Sequence, residues 1–163
     1  MNQYVIINGT GGAGKDEFIK QCKVIDDDIE NISTIDYIKS IARYAGWDGK
    51  KDERGRRFLS DIKDAMILYD DIPFKQTIEN VKMFDHKTVF IHCREPDEIE
   101  KLKNELNAKT VLVKNKRADG LINNHADQDV ELYNYDYVIN NNESLGDLII
   151  SAQIFLLWLK NSN

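Results

Sequence analysis

The pattern of hydrophobic and polar positions divides the chain into two kinds of segment that alternate. Short, mostly apolar segments predict strands at 4–7, 29–33, 88–92, 109–113 and 135–139. Between them, apolar residues recur at spacings of three and four, which predicts helices at 15–25, 34–44, 53–69, 75–83, 96–106 and 143–160. Strands that alternate with helices in this way indicate an α/β domain built on a largely parallel sheet.

Two stretches interrupt the alternation. Pro73 predicts a break ahead of the helix at 75–83, because proline removes a backbone donor that a helix interior needs. The segment 115–131 is polar and irregular, with little material for a core. No linker rich in Gly, Pro or Ser divides the chain, so we expect a single domain over 1–163.

Composition and charge exclude several classes of protein. Of the 163 residues, 42% are hydrophobic and 31% charged, as in a folded globular domain, and the net charge of −6 argues against a nucleic-acid binder. The most apolar stretch, 148–159, is shorter than the roughly 20 residues of a membrane span, and no signal-peptide pattern opens the sequence. The cysteines Cys22 and Cys93 lie far apart, which argues against a disulfide framework. We therefore expect a cytoplasmic protein that does not bind membranes and is a monomer or homodimer.

A glycine-rich segment, 8–16, lies between the first predicted strand and the first predicted helix and reads NGTGGAGKD. Gly9, Gly11 and Gly14 satisfy the dinucleotide pattern GxGxxG, whereas Gly9, Gly14 and Lys15 satisfy the GxxxxGK portion of a P-loop. Both motifs bring backbone N–H groups and a helix N-terminus close to phosphate oxygens without side chains in between.

Lys15 favours the P-loop, because an ammonium group at this position can bridge the terminal phosphates of a nucleotide. A dinucleotide site does not require such a cation. Two alternatives stay open. One is a dinucleotide site, for which Asp36 lies at about the expected distance behind the glycines, and the other is a purely structural glycine turn. For the P-loop interpretation, the expected phosphate-binding residues are Gly9, Gly11, Gly12, Ala13, Gly14, Lys15 and Asp16.

Asp16 stands where a P-loop normally has Ser or Thr, whose hydroxyl binds Mg²⁺. A carboxylate can also serve Mg²⁺, directly or through water, so we predict Asp16 as a metal ligand. The alternative is that Asp16 is simply an acidic residue favoured by the positive end of the helix dipole.

The triplet Gly14-Lys15-Asp16 resembles the P-loop of phage-type deoxynucleoside monophosphate kinases, and animal phosphomevalonate kinases have a similar triplet. The resemblance implies the three-layer α/β fold of P-loop kinases, with a mostly parallel sheet flanked by helices. It implies transfer of the γ-phosphoryl group of ATP, with Mg²⁺, to a small phosphorylated acceptor such as a nucleoside monophosphate. It also implies a helical acceptor-binding region at about 34–84 and a lid-like segment at about 115–131.

The same resemblance assigns roles to charged residues outside the loop. Lys15, Arg94 and Arg117 are expected to be catalytic, Arg94 from behind the third strand and Arg117 from the lid-like segment. Relatives often place a metal-linked Asp behind the third strand, but this chain reads His-Cys-Arg-Glu there, which leaves Glu95 as a second candidate metal ligand. A nucleotide-binding protein without catalysis is therefore a further alternative.

Acceptor binding is expected from Asp36, Arg54, Arg57, Asp61 and Arg94. Arg54, Arg57 and Asp61 lie along one edge of the predicted helix at 53–69, where they could reach a phosphate and a hydroxyl or base. The alternative is a solvated face, on which an Arg57–Asp61 pair contributes only a few tenths of a kcal/mol.

Overall fold

The computed structural model describes residues 2–85, 87–117 and 130–162. The strands in these ranges are β1 (Gln3–Asn8), β2 (Ile29–Ser33), β3 (Thr88–His92), β4 (Lys109–Lys114) and β5 (Tyr137–Asn140). The helices are α1 (Lys15–Ile25), α2 (Asp36–Tyr44), α3 (Glu53–Asp70), α4 (Ile72–Lys82), α5 (Pro96–Leu106) and α6 (Leu145–Asn161). The alternation of strands and helices predicted from the sequence is therefore confirmed. Within the described ranges, no helix has both the length and the hydropathy that a membrane span requires.

The strands form one sheet in the order β2-β3-β1-β4-β5. β1 pairs in parallel with β3 and with β4, and β4 pairs in parallel with β5. Helices flank the sheet, which gives the expected three-layer α/β fold. Because parallel strands end at the same edge of a sheet, the loops that follow β1, β3, β4 and β5 all begin at one edge.

Alternate residues of the central strand β1 point into two different helical layers. Val5 and Ile7 belong to the apolar cluster formed with α1 and α6, at whose centre the rings of Phe18 and Phe155 meet edge to face at 5.5 Å. Ile6 lies between them in sequence, points to the opposite face and is also fully buried. A strand buried on both faces explains why the first predicted strand is a continuous apolar run.

The structure has the break expected near Pro73, but at Asp71. α4 begins at Ile72, and Pro73 lies in its first turn, where the missing N–H costs no helical hydrogen bond. The chain reverses at Asp71, two residues before Pro73, where the backbone adopts a left-handed conformation with φ 47°. β5 also begins two residues later than predicted, because Asp136 is held by Thr110 instead of joining the ladder.

The chain forms two compact units. One is Ile32–Phe84, in which α2, α3 and α4 pack on one another, with Ile38, Ala42 and Leu59 as their buried core. The rest of the chain contains the greater part of the sheet together with α1, α5 and α6. The first of these units nearly coincides with the segment for which acceptor binding is predicted, and the extent of the domain, 1–163, stays a prediction.

Asp136 provides a test of how the carboxyl half of the sheet is held. Its carboxylate accepts hydrogen bonds from the N–H and hydroxyl of Thr110 at 2.8 and 2.9 Å and from the amine of Lys103 at 3.0 Å. Partial burial raises the pKa of Asp136, but the hydrogen bonds from Lys103 and Thr110 outweigh it and hold the pKa below its ordinary value. Asp136→Ala should lower the free energy of unfolding by about 1–3 kcal/mol in urea denaturation at neutral pH, because the buried Thr110 N–H loses its acceptor.

The effect of Asp136→Ala should also depend on pH. A carboxyl group whose pKa is lower in the folded than in the unfolded state contributes fully above the unfolded value of about 3.9. The contribution disappears as the pH falls through the folded pKa. A stability difference between wild type and variant that did not shrink below about pH 4 would contradict this account.

Candidate functional site

The glycine-rich loop begins at Asn8, a polar residue that is only 1% exposed at the end of β1. Its side-chain amide donates to the backbone oxygen of Arg94 at 3.2 Å and to the hydroxyl of Tyr135 at 2.8 Å. Its side-chain oxygen accepts from the N–H of Gly9 at 2.8 Å. The start of the loop is thus tied to the segments that follow β3 and precede β5. Asn8 was not among the predicted site residues, although a polar residue that ends a buried strand is a signal of this kind of contact.

Tyr135 completes this arrangement. Its hydroxyl donates to the backbone oxygen of Val130 at 2.9 Å while it accepts from Asn8. Burial raises the pKa of Tyr135 to about 12, so the phenol is protonated at neutral pH. The phenol therefore serves as a neutral bridge between the loop and the segment ahead of β5.

Two glycines of the loop are required by the surrounding protein. Gly9 has φ 151°, and a Cβ there would overlap the backbone oxygen of Val113 in β4. Gly14 has φ 94°, and a Cβ there would overlap the side-chain amide of Asn141, which donates to the oxygen of Ala13 at 3.0 Å. The ends of β4 and β5 therefore fix the path of the loop.

Gly11 differs from these two glycines. No atom lies within 4 Å of the position that a Cβ would take at Gly11, so the protein itself does not require glycine there. The space beside the backbone is open, which is the property that close approach of a phosphate group needs.

The side chain of Lys15 lies within the loop. Its amine donates to the backbone oxygens of Gly9 and Thr10, the latter at 3.0 Å. Lys15 is also the first residue of α1, and the first turn of a helix directs N–H groups and a positive dipole end outward. A cation, an open glycine backbone and a helix N-terminus are thus brought together, and this combination suits a chain of phosphates.

Asp16, predicted as a metal ligand, is 94% exposed, and its Oδ1 lies 3.6 Å from Nε2 of His92. His92 is the last residue of β3 and was not among the predicted site residues. Glu95, the other predicted ligand, precedes α5 and makes no side-chain hydrogen bond to cap it. In the described part of the chain, no group of three or more His, Cys, Asp or Glu side chains is arranged to hold a metal ion.

Arg94 and Arg117 both follow strands that end at the edge where the glycine-rich loop begins, and both are exposed. The backbone oxygen of Arg94 accepts from the side chain of Asn8, and the N–H of Arg117 donates to the side chain of Asn115 at 2.9 Å. Residues 118–129 of the predicted lid-like segment lie outside the described residues. The catalytic roles of the two arginines stay predictions.

A cleft of about 620 Å³ lies in the unit Ile32–Phe84 and contains three of the residues predicted to bind the acceptor. It is formed by the loop that follows α2 and by the first half of α3. Its lining includes the aromatic rings of Trp47 and Phe58 and the charged side chains of Asp48, Lys50, Asp52, Arg54, Arg57 and Asp61. The cleft therefore offers apolar walls and charges of both signs.

Local contacts hold the loop between α2 and α3 against the start of α3. Asp52 begins α3 by accepting the N–H of Gly55 at 2.8 Å, and the indole of Trp47 donates to the backbone oxygen of Lys50 at 3.1 Å. A Cβ at Gly55 would overlap that same oxygen. Arg57 and Asp61 are exposed, with Nε and Oδ2 3.9 Å apart, so neither is committed to a close pair.

The structure does not bring Asp36 into this cleft. Its carboxylate accepts from the N–H of Ser33 at 2.8 Å and from the amine of Lys39 at 3.2 Å. These contacts are typical of an acidic residue in the first turn of a helix. It lines a separate cavity of about 360 Å³ together with Asn80 and Met83. No contact within this unit supports the acceptor role predicted for Asp36.

Comparisons with known proteins identify the fold. No protein-family model matches the sequence, and no curated protein matches it significantly. Solved structures match over nearly the whole chain. TT1252 from Thermus thermophilus has a TM-score of 0.58 at 16% identity, covering 97% of this chain and 98% of that one. Shikimate kinase from Aquifex aeolicus vf5 has a TM-score of 0.55 at 10% identity, covering 98% of each chain.

Dephospho-CoA kinase from Campylobacter jejuni is a third similar structure, with a TM-score of 0.52 at 12% identity, covering 97% of each chain. At these identities the likeness establishes the fold alone. The chain therefore has the same three-layer α/β fold as these structures.

Gly9 and Gly11 provide a matched pair of substitutions. Gly11→Ala should change the free energy of unfolding by no more than about 0.5 kcal/mol, because its Cβ meets open space. It should nevertheless weaken binding of a fluorescent ATP analogue, because the methyl group occupies the space that a phosphate would use. Gly9→Ala should destabilise the fold by more than about 1 kcal/mol, because its Cβ meets Val113 at a φ that L residues avoid. Equal losses of stability in the two variants would contradict the assignment of the open space at Gly11.

Proposed function

We propose that the protein is an ATP-dependent phosphotransferase that moves the γ-phosphoryl group to a small phosphorylated acceptor, in the first place a nucleoside or deoxynucleoside monophosphate. The observation that carries the proposal is the position of the Lys15 amine inside the open glycine-rich loop at the start of α1. The fold supports it as well, since structures named shikimate kinase and dephospho-CoA kinase share it.

The donor nucleotide would be held by the loop. Backbone N–H groups from Gly11 to Lys15 would bind the β-phosphate, and the Lys15 amine would leave the carbonyls of Gly9 and Thr10 for phosphate oxygens. The exposed carboxylate of Asp16 is an oxygen donor of the type that Mg²⁺ prefers, so this residue fits the expected metal. Bound Mg²⁺ supplies neutralisation of charge on the β and γ oxygens.

The acceptor would be held by the cleft in Ile32–Phe84. Arg54 and Arg57 offer guanidinium groups for a phosphate, and Asp61 offers a carboxylate for a hydroxyl or base. Arg94 and Arg117 would stabilise charge on the transferred group. A phosphate acceptor is ionised near neutral pH, so its attack needs no strong general base.

A nucleotide-binding protein without catalysis is the second candidate. The observation that favours it is Asp16 in the position where a P-loop normally has a hydroxyl residue. An oxidoreductase that uses a dinucleotide has less support, because Asp36, the acid that such a site would need, is committed to Ser33 and Lys39.

Removal of the Lys15 amine tests the donor site. Lys15→Ala should lower turnover by about 10²- to 10³-fold, because a charge contact to the transition state is lost. Turnover would be measured by coupled ADP release with MgATP and a panel of nucleoside and deoxynucleoside monophosphates. Lys20→Ala is the matched control, because Lys20 lies on the same helix with its side chain 69% exposed and should retain activity. Wild-type protein that binds ATP but releases no ADP with any acceptor would favour the non-catalytic candidate.

Arg57→Ala tests the acceptor cleft. It should raise the acceptor KM by about tenfold or more while leaving the KM for ATP unchanged, because one charge-assisted hydrogen bond is lost. Arg56→Ala is the matched control, since Arg56 lies on the same helix and is exposed but does not line the cleft. Equal effects of the two substitutions on the acceptor KM would place the acceptor elsewhere.

The fluorescence of Trp47 gives a second readout that does not require turnover. The chain has 2 tryptophans: Trp47 lines the cleft, whereas Trp158 lies on α6 and packs against the core. Binding of the acceptor should change the emission of the Trp158→Phe variant, in which Trp47 remains. It should not change the emission of the Trp47→Phe variant, in which only Trp158 remains.

A further inference from the structure

Asp16, in the first turn of α1, and His92, at the end of β3, lie close together beside the glycine-rich loop. Oδ1 of Asp16 and Nε2 of His92 are 3.6 Å apart, which is too long for a hydrogen bond. The carboxylate is 94% exposed, whereas the imidazole is 18% exposed. One oxygen donor and one nitrogen donor therefore stand side by side next to the position where the phosphates are expected.

The pair stands on rigid elements. His92 is opposite Ile7 in the parallel register of β1 and β3, and the N–H of Cys93 donates to the oxygen of Ile7 at 3.3 Å. The ladder thus continues past His92 and holds its backbone. Asp16 is the second residue of α1, whose first helical hydrogen bond, from Phe18 to Gly14, measures 2.9 Å. Donors on strand and helix ends are better fixed than donors on loops.

The separation of the two donors fits a shared cation. Bonds from divalent metal ions to imidazole nitrogen and carboxylate oxygen are about 2.0–2.2 Å long, so two donors 3.6 Å apart can both contact one ion. The chemical type of the donors then determines which ion is preferred. Imidazole suits transition metals such as Mn²⁺, Co²⁺ and Zn²⁺, whereas Mg²⁺ favours sites made of oxygen alone.

We propose that Asp16 and His92 are both direct ligands of the divalent cation that accompanies the nucleotide, and that this site therefore prefers a transition-metal ion such as Mn²⁺ to Mg²⁺. The inference rests on the proposed function, since the remaining ligands would be phosphate oxygens and water. Glu95 was expected as the second metal ligand, but in this proposal the second ligand is the imidazole of His92, the last residue of β3.

Pulsed electron paramagnetic resonance of Mn²⁺ tests the inference without any turnover. The sample is the full chain with Mn²⁺ and a non-hydrolysable ATP analogue, at about pH 8, where an ordinary imidazole is neutral. Wild-type protein should show the nuclear modulation of a directly bound nitrogen. In protein made with ¹⁵N-labelled histidine, the modulation should change to that of ¹⁵N, which assigns it to imidazole without a mutation.

Variants then assign the nitrogen to one histidine. The chain has 3 histidines, so the double variant His86→Gln/His125→Gln leaves His92 alone and should keep the signal. His92→Gln should lose it and should bind Mn²⁺ about 10- to 100-fold more weakly in the presence of the analogue. Its affinity for Mg²⁺ should change less, so the preference for Mn²⁺ over Mg²⁺ should fall.

The outcomes separate this inference from the proposed function. If the analogue and Mn²⁺ bind but no histidine nitrogen is detected, the imidazole is not a ligand and this inference alone is wrong. The same holds if the signal disappears in the double variant and persists in His92→Gln. If no nucleotide binds to the wild-type chain at all, the proposed function and this inference fail together.

Discussion

The carbonyl oxygen of Val113 and the buried amide of Asn8 set the constraint on which the candidate site depends. The first leaves no room for a side chain at Gly9, and the second ties the end of β1 to Arg94 and Tyr135. Together they determine where the chain leaves the sheet and in which direction it turns. At the other end of the loop, Gly14 has a left-handed φ of 94°, and the side chain of Asn141, the residue after β5, donates to the oxygen of Ala13. An open backbone between two fixed ends is a preorganised site, which need not spend binding energy on ordering itself.

This constraint also explains why Lys15 lies where it does. The loop places the carbonyl oxygens of Gly9 and Thr10 within reach of the amine, so the cation is held near the first turn of α1. Carbonyl oxygens are weaker partners for an ammonium group than a carboxylate or a phosphate. The amine can therefore exchange them for phosphate oxygens at low cost. A ligand without negative charge would gain less from the Lys15 amine, because it would offer no better partner than the carbonyl oxygens.

Sequence patterns predicted the fold well because the signals are local. A buried strand, a glycine-rich turn and an amphipathic helix are each encoded within a few consecutive residues, and the motif GxxxxGK is of this kind. What the patterns did not reveal depends on contacts between distant residues. Asn8 meets Tyr135 across 127 positions, and Asp16 meets His92 only because β3 lies beside β1 in the sheet. The break expected at Pro73 lies two residues earlier, at Asp71, because proline is accommodated in the first turn of α4.

Charge explains why Asp16, an unusual residue in the glycine-rich loop, is found together with His92, an unusual residue at the end of β3. A P-loop with a neutral hydroxyl behind its lysine can tolerate a carboxylate at the end of the third strand, because only one negative charge then faces the metal. With Asp16 in the loop, a second carboxylate 3.6 Å away would add repulsion between like charges whenever the metal is absent. A neutral imidazole supplies a ligand without that repulsion. In the proposed cation site, the two departures from the usual pattern would compensate each other, because one negative charge would remain among the protein ligands while the preferred ion would change.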